Sequence, residues 1–152
     1  APINIQQTMV TNVNPNALAF WEVTNSAFDD NGQVSGKKLT PAQWKKLLEI
    51  GTQLEAGGRA MATSDAVIAA SLGARLQDEG NPGAASAKDV QRYIDAKPAE
   101  FRHHALDMQK AGAYIVAAVK KRDAGKLGEV SGSLDSVCER CHAAFWYPEL
   151  KK

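Results

Sequence analysis

Cys138-Glu139-Arg140-Cys141-His142, close to the end of the 152-residue chain, limits the fold more than any other stretch. Two cysteines three apart with a histidine after the second is the attachment pattern of a c-type haem. On a helical turn the two sulfurs lie on neighbouring faces, about the separation of the two porphyrin vinyl groups they would attack. His142 then projects beside Cys138, one turn back, where its imidazole can serve as proximal iron ligand. Two other readings of the cysteines stay open. A thioredoxin-like dithiol needs a βαβ context, and no strand pattern lies near the motif. A zinc site needs four nitrogen or sulfur ligands, and only His103 and His104 remain to complete one. A porphyrin must be buried, so the chain has to build a helical core around its own C-terminal segment.

The length suits one domain over residues 1–152. Lys and Arg number 18 against 17 Asp and Glu, a balance that offers nothing to nucleic acid or to an anionic membrane. The motif uses both of the 2 cysteines, so no disulfide framework is left over and the compartment has to be inferred from the haem. Covalent attachment of this kind takes place outside the cytoplasm. The start Ala1-Pro2-Ile3 lacks an initiator Met and reads as a mature chain already cut by a signal peptidase. No apolar run approaches the ~18 residues of a membrane span. The expected location is the periplasm.

The spacing of apolar residues predicts helices almost throughout. From Ile3 to about Asp30 the first segment offers Leu18, Trp21 and Phe28 to a buried face; Asn14 either caps a helix starting at Pro15, or a longer helix from Gln6 kinks there. The second helix has Thr40 as N-cap, Pro41 at its first position and Gln43 to complete a capping box. Trp44, Leu47, Leu48, Gly51 and Leu54 share a face, and Gly57-Gly58 is expected to end or loosen it. Ile68, Leu72 and Leu76, each four apart, predict a short amphipathic helix capped by Ser64 or Asp65, ending at Gly80-Asn81-Pro82-Gly83. Ser86 and Asp89 cap another turn or two through Tyr93 and Ile94. A long helix from Pro98 carries Phe101, Ala105, Met108, Gly112, Ile115, Val116 and Val119. The last helix carries Leu127, Val130, Leu134, Val137, Cys141 and Phe145 until Pro148. Four long amphipathic segments without strands predict an all-α fold, an antiparallel four-helix bundle with the haem in its core near the C-terminal helix.

With the motif ending the last helix of such a bundle, the chain resembles the class II c-type cytochromes, the cytochrome c prime group. The resemblance is carried from Pro98 to Glu149 by the long helix, the Lys121-Arg122-Asp123-Ala124-Gly125 turn, Leu127, the Cys138-to-His142 motif and Phe145. It implies thioether links from Cys138 and Cys141, iron ligation by His142 and, in some members, a homodimer through the first two helices. Where that family has a basic side chain near the iron-bound imidazole, this chain has Phe145, Trp146 and Tyr147. The stretch between Met61 and Pro98 is longer than the resemblance implies and is a candidate cover for a haem edge or the distal pocket.

Function turns on the distal side. A methionine in the sixth position suits electron transfer with redox partner proteins. An apolar residue there leaves five-coordinate iron that binds a small gas such as NO or CO, as the resemblance implies, for sensing, storage or detoxification. The family takes its distal residue from the first helix, which points to Leu18 or Phe20; Phe145 is placed in the same pocket. Of Met9, Met61 and Met108, Met61 is the candidate ligand, Met9 lies too far along the chain, and Met108 is core packing. His103 and His104 fall on the flank of the apolar stripe and read as surface residues, with a bis-histidine haem through one of them as the alternative. Trp21, Trp44 and Trp146 read as pocket or core, and Arg140 and Lys151 as solvated charges or a weak docking rim. A peroxidase would need a distal acid-base pair, and Arg59 is its one candidate member. The expectation is a monohaem electron carrier, not an enzyme, with gas binding as the alternative.

Overall fold

The fold comes from a computed structural model that describes residues 2–148. Ala1, Glu149 and Lys151, named above, lie outside the described residues. The all-α expectation holds. The elements are β1 (Ile3–Asn4), α1 (Ile5–Thr8), a π-helical turn (Met9–Val13), α2 (Asn14–Ser26), α3 (Pro41–Thr63), β2 (Val67–Ile68), α4 (Ala87–Ala96), α5 (Pro98–Lys120) and α6 (Ala124–Phe145).

Pro15 explains the first irregularity. It has no N–H to give back to the helix, and the backbone ahead of it widens so that the Asn14 N–H reaches Met9 O. Asn16 Nδ2 donates to Asn12 O at 2.8 Å, taking up a carbonyl at the widened turn. The run from Ile5 to Ser26 therefore continues past the proline without a break.

The capping box at α3 forms as its residues predict, with Gln43 N–H donating to Thr40 Oγ1 and Thr40 N–H to Gln43 Oε1. The helix does not stop at Gly57-Gly58 but runs to Thr63. The two glycines are buried because neighbouring groups come too close for a side chain. A Cβ on Gly58 would fall on the Gln109 backbone, one on Gly112 on the Glu55 backbone, and one on Gly51 within 2.9 Å of Ile115 Cγ2. α3 and α5 thus pack nearly backbone to backbone, with Leu47, Ile50, Leu54 and Ile115 fully buried around them.

The expected amphipathic helix through Ile68, Leu72 and Leu76 does not form. Val67–Ile68 instead pairs in parallel with Ile3–Asn4, and the chain then runs through turns with Gly73, Gly80 and Gly83 at positive φ. Leu76 is buried, but Leu72 stands fully in solvent, so the four-residue spacing was not helical. Three residues that can form a helix face are also compatible with an extended chain, and the backbone pairing with β1 decides for the latter. α4 is capped by Ser86 as expected. Between α5 and α6, Arg122 adopts φ +52°, and its guanidinium lies over the Trp44 ring 4.8 Å from the centroid. Asp123 then caps α6 by accepting from the Lys126 N–H.

The glycine contact is a test of this packing. Gly58→Ala and Gly112→Ala are each expected to lower unfolding free energy by about 3 kcal/mol in urea titrations. Gly132→Ala, at a helical position with open space around it, is expected to raise it by roughly 0.5–1 kcal/mol.

Candidate functional site

The stripe that buries Leu127, Val130, Leu134 and Phe145 sets the rotational phase of α6. Cys138 and Cys141 fall on the same stripe at spacings of four and three and pack, half-buried, against the core. His142 follows one turn after Cys138, its ring 5.9 Å from that of Trp146.

All three motif residues line one small cavity, with about 30 Å³ of free interior. Its opposite walls come from Ile5, Met9, Val13 and Asn14 in the N-terminal run, from Met61 at the end of α3, and from Phe101, His104, Ala105 and Met108 on α5. An adjoining lobe, with about 100 Å³ of free interior, shares Met9, Asn14, His142 and Trp146 and is rimmed by Gln6, Gln77, Asp78 and Tyr147. The inner lobe is walled almost wholly by apolar side chains, while the outer one carries the amides, a carboxylate and a phenol.

The positions expected from the sequence separate. Met61 is on the cavity wall. Leu18 is 66% exposed and does not approach the cavity, which corrects its assignment to the distal pocket. Within α2 the buried face is Ala17, Phe20 and Thr24, and Leu18 lies one step round from it, while Met9 and Val13 face the cavity from the turn before. Phe20 is fully buried, but in the core away from the cavity wall. Phe145 packs edge-on against Phe101 at 5.7 Å and against His104 at 6.2 Å, behind the wall. Met9, thought too remote, lines both lobes. Its signal was available as the four-residue spacing Ile5, Met9, Val13. His104, read as surface, is largely buried on the α5 wall, and its Nδ1 is the one buried side-chain polar atom among the described residues with no hydrogen-bond partner. His103 is exposed and 3.9 Å from Asp107. Arg59 is exposed, paired with Glu55 at 2.8 Å, and absent from both lobes, so the residue a peroxidase reading relied on is not at the site.

Electrostatics define what the motif can do. Burial, followed by the Asp135 and Glu139 carboxylates, pushes the Cys138 thiol up to about 11. Burial, followed by Cys138 and Glu100, pushes Cys141 up to about 12. Reactive redox cysteines and zinc-binding thiolates are shifted in the opposite direction. Burial lowers His142, against the smaller upward pull of Glu139, Asp78 and Asp135, so the imidazole is neutral at pH 7 with a lone pair to give. Among the described residues no three His, Cys, Asp or Glu converge closely enough to hold a metal ion. The two thiols and the imidazole are spread along one apolar wall and do not converge on a point.

No protein-family model, no curated protein and no solved structure matches the chain.

With nothing attached to them, both thiols are expected to react with a disulfide reagent at pH 7.5 at least about a hundredfold more slowly than free cysteine, since the thiolate is the nucleophile. Rates near that of free cysteine would restore the redox-dithiol reading.

Proposed function

We propose that the chain is an exported monohaem c-type cytochrome of the class II kind, an antiparallel four-helix bundle that carries one covalent haem for one-electron transfer to partner proteins. The observation that carries this reading is the placing of Cys138, Cys141 and His142 on one wall of a single apolar cavity. When bound, the haem supplies an iron(III)/iron(II) couple. Cys138 and Cys141 would hold it by thioether bonds, and the neutral His142 would supply the proximal nitrogen.

The remaining walls act by exclusion and closure. Ile5, Val13, Phe101 and Ala105 keep water from the inner lobe, which favours a small change in solvation between the two oxidation states. Three methionine thioethers, of Met9, Met61 and Met108, line the cavity, and one of them held against a bound haem would suit a carrier more than a gas binder. Met9 takes precedence over Met61 because it lines both lobes together with His142, whereas Met61 lines only the inner one. Arg102 fixes the end of α3 by donating to Met61 O at 2.7 Å and to Ser64 O at 2.7 Å, consistent with Met61 as a rigid wall residue.

The test is the visible spectrum of protein matured in a periplasm that has the attachment machinery. A low-spin ferric spectrum with a sulfur-to-iron charge-transfer band is expected, indifferent to carbon monoxide when reduced. Met9→Leu should remove that band and admit carbon monoxide; Met61→Leu should retain it. A high-spin wild-type spectrum that shifts on gas addition would move gas binding to first place. Cys138→Ala with Cys141→Ala should leave no haem that survives acid-acetone extraction, and absence of any haem in the wild type sinks the proposal.

A further inference from the structure

The segment between α3 and α4 does more than connect them. It crosses the end of the molecule and is fastened at both sides. Ile3 N–H donates to Ala66 O at 2.9 Å and Gln6 N–H to Ala69 O at 3.0 Å, at the start of the run that carries Met9. Ala85 N–H donates to Trp146 O at 2.8 Å, at the end of the helix that carries His142. Glu79 stiffens it from within, accepting from Ala87 N–H at 2.9 Å and pairing with Arg75 at 2.9 Å. Between these fastenings Asp78 reaches the outer lobe, which it lines together with His142. Tyr147 O–H donates to Asp78 Oδ2 at 2.6 Å, a short bond to a charged acceptor. That hydrogen bond, with burial, pushes the Tyr147 phenol up to about 12, so it remains a donor across the physiological range.

Resting on the haem reading above, we propose that Asp78 is a positioning residue for His142: held by Tyr147, it keeps a negative charge at the lobe that the imidazole lines and biases the iron toward its oxidised state. The other carboxylates that act on His142 are Glu139 and Asp135, both exposed on its own helix. Asp78 differs in coming from another element and in being hydrogen-bonded in place. A ligating histidine is commonly tuned by a nearby carboxylate, whose charge stabilises the more positive state of the metal. Asp78 is exposed, and its effect is therefore screened by salt.

Reduction potentials of wild type, Asp78→Asn and Tyr147→Phe test the assignment at low and high ionic strength. Asp78→Asn is expected to raise the potential, shifting the oxidised-to-reduced ratio a few-fold at low salt and much less at high salt. Tyr147→Phe keeps the charge but releases it, and should give a smaller rise. The visible spectrum, hence coordination, should be unchanged in both. An Asp78→Asn potential equal to wild type, or a shift that salt does not touch, overturns the proposal, the second pointing to a structural effect alone. In the haem-free chain the His142 ring-nitrogen NMR shifts give an independent reading. If they move on Asp78→Asn while no haem is ever bound, the haem reading fails and the Asp78–His142 pairing stands; if they do not move and the potential does not either, the pairing fails.

Discussion

The site depends on the contact between α3 and α5, where glycines bring two helix backbones together. Gly58 lies against Gln109 and Gly112 against Glu55, and neither position has room for one carbon. Contact this close cannot slide, because any shift along the axes drives a side chain into backbone. It therefore fixes the height of Met61, one turn beyond Gly58, relative to Phe101, His104, Ala105 and Met108 at the start of α5. Arg102 completes the junction by tying α5 to the last carbonyls of α3. The inner lobe lies where the glycine contact ends and the helices begin to carry bulk. Its width is set by backbone, and side-chain repacking can do little to collapse it.

The N-terminal run reaches that lobe by a different device. A regular helix past Pro15 would leave an unpaired carbonyl and carry its apolar face steadily around the axis. The π-turn absorbs both problems, and side-chain amides secure it: Asn16 bonds the Asn12 carbonyl, and Asn12 Nδ2 bonds Gln53 O on α3 at 3.0 Å. The small size of Gly57 is what lets Asn12 sit there, since a Cβ would come within 2.9 Å of its Nδ2. The pair Gly57-Gly58 thus serves two neighbours at once, the first helix through one residue and α5 through the other.

This double use explains which parts of the fold the sequence disclosed. Elements whose signals are local were legible: the Thr40-Pro41-Gln43 start, Ser86 as a cap, Pro98 opening α5, and the stripe that aims Cys138, Cys141 and His142 inward. Where a residue's role is set by a distant partner, local rules misread it. Gly57-Gly58 carries the composition of a helix end, and nothing nearby announces that two other chain segments need the space. Leu18 sits at a plausible helical position, but the face that α2 buries is the neighbouring one of Ala17, Phe20 and Thr24. Ile68, Leu72 and Leu76 satisfy a helical period, yet the backbone of that stretch is claimed by Ile3 and Gln6 from the other end of the chain. His104 was misjudged by one helical step, the usual error when a stripe is broad.

The arrangement also bears on why a cavity persists beside Cys138 and Cys141. In an ordinary core helix the stripe from Leu127 through Leu134 to Phe145 would continue with leucine, and the neighbouring helices would close on it. Cysteine is smaller, and the facing residues include Ala105 and Val13, so the wall recedes where the thiols sit. Closing the gap would require moving α5, which the glycine contact forbids, or the N-terminal run, which Asn12 and the segment ending at Ala85 hold in place. Empty apolar space in a core is costly, about 24 cal/mol for each Å³ of cavity by the behaviour of truncated cores. Two protonated thiols and an imidazole thus stand along a wall that faces mostly apolar side chains, where an apolar group would meet like surface. On the proposed reading the same rigidity limits how far the iron's ligands move between oxidation states, which is the structural requirement for fast one-electron exchange.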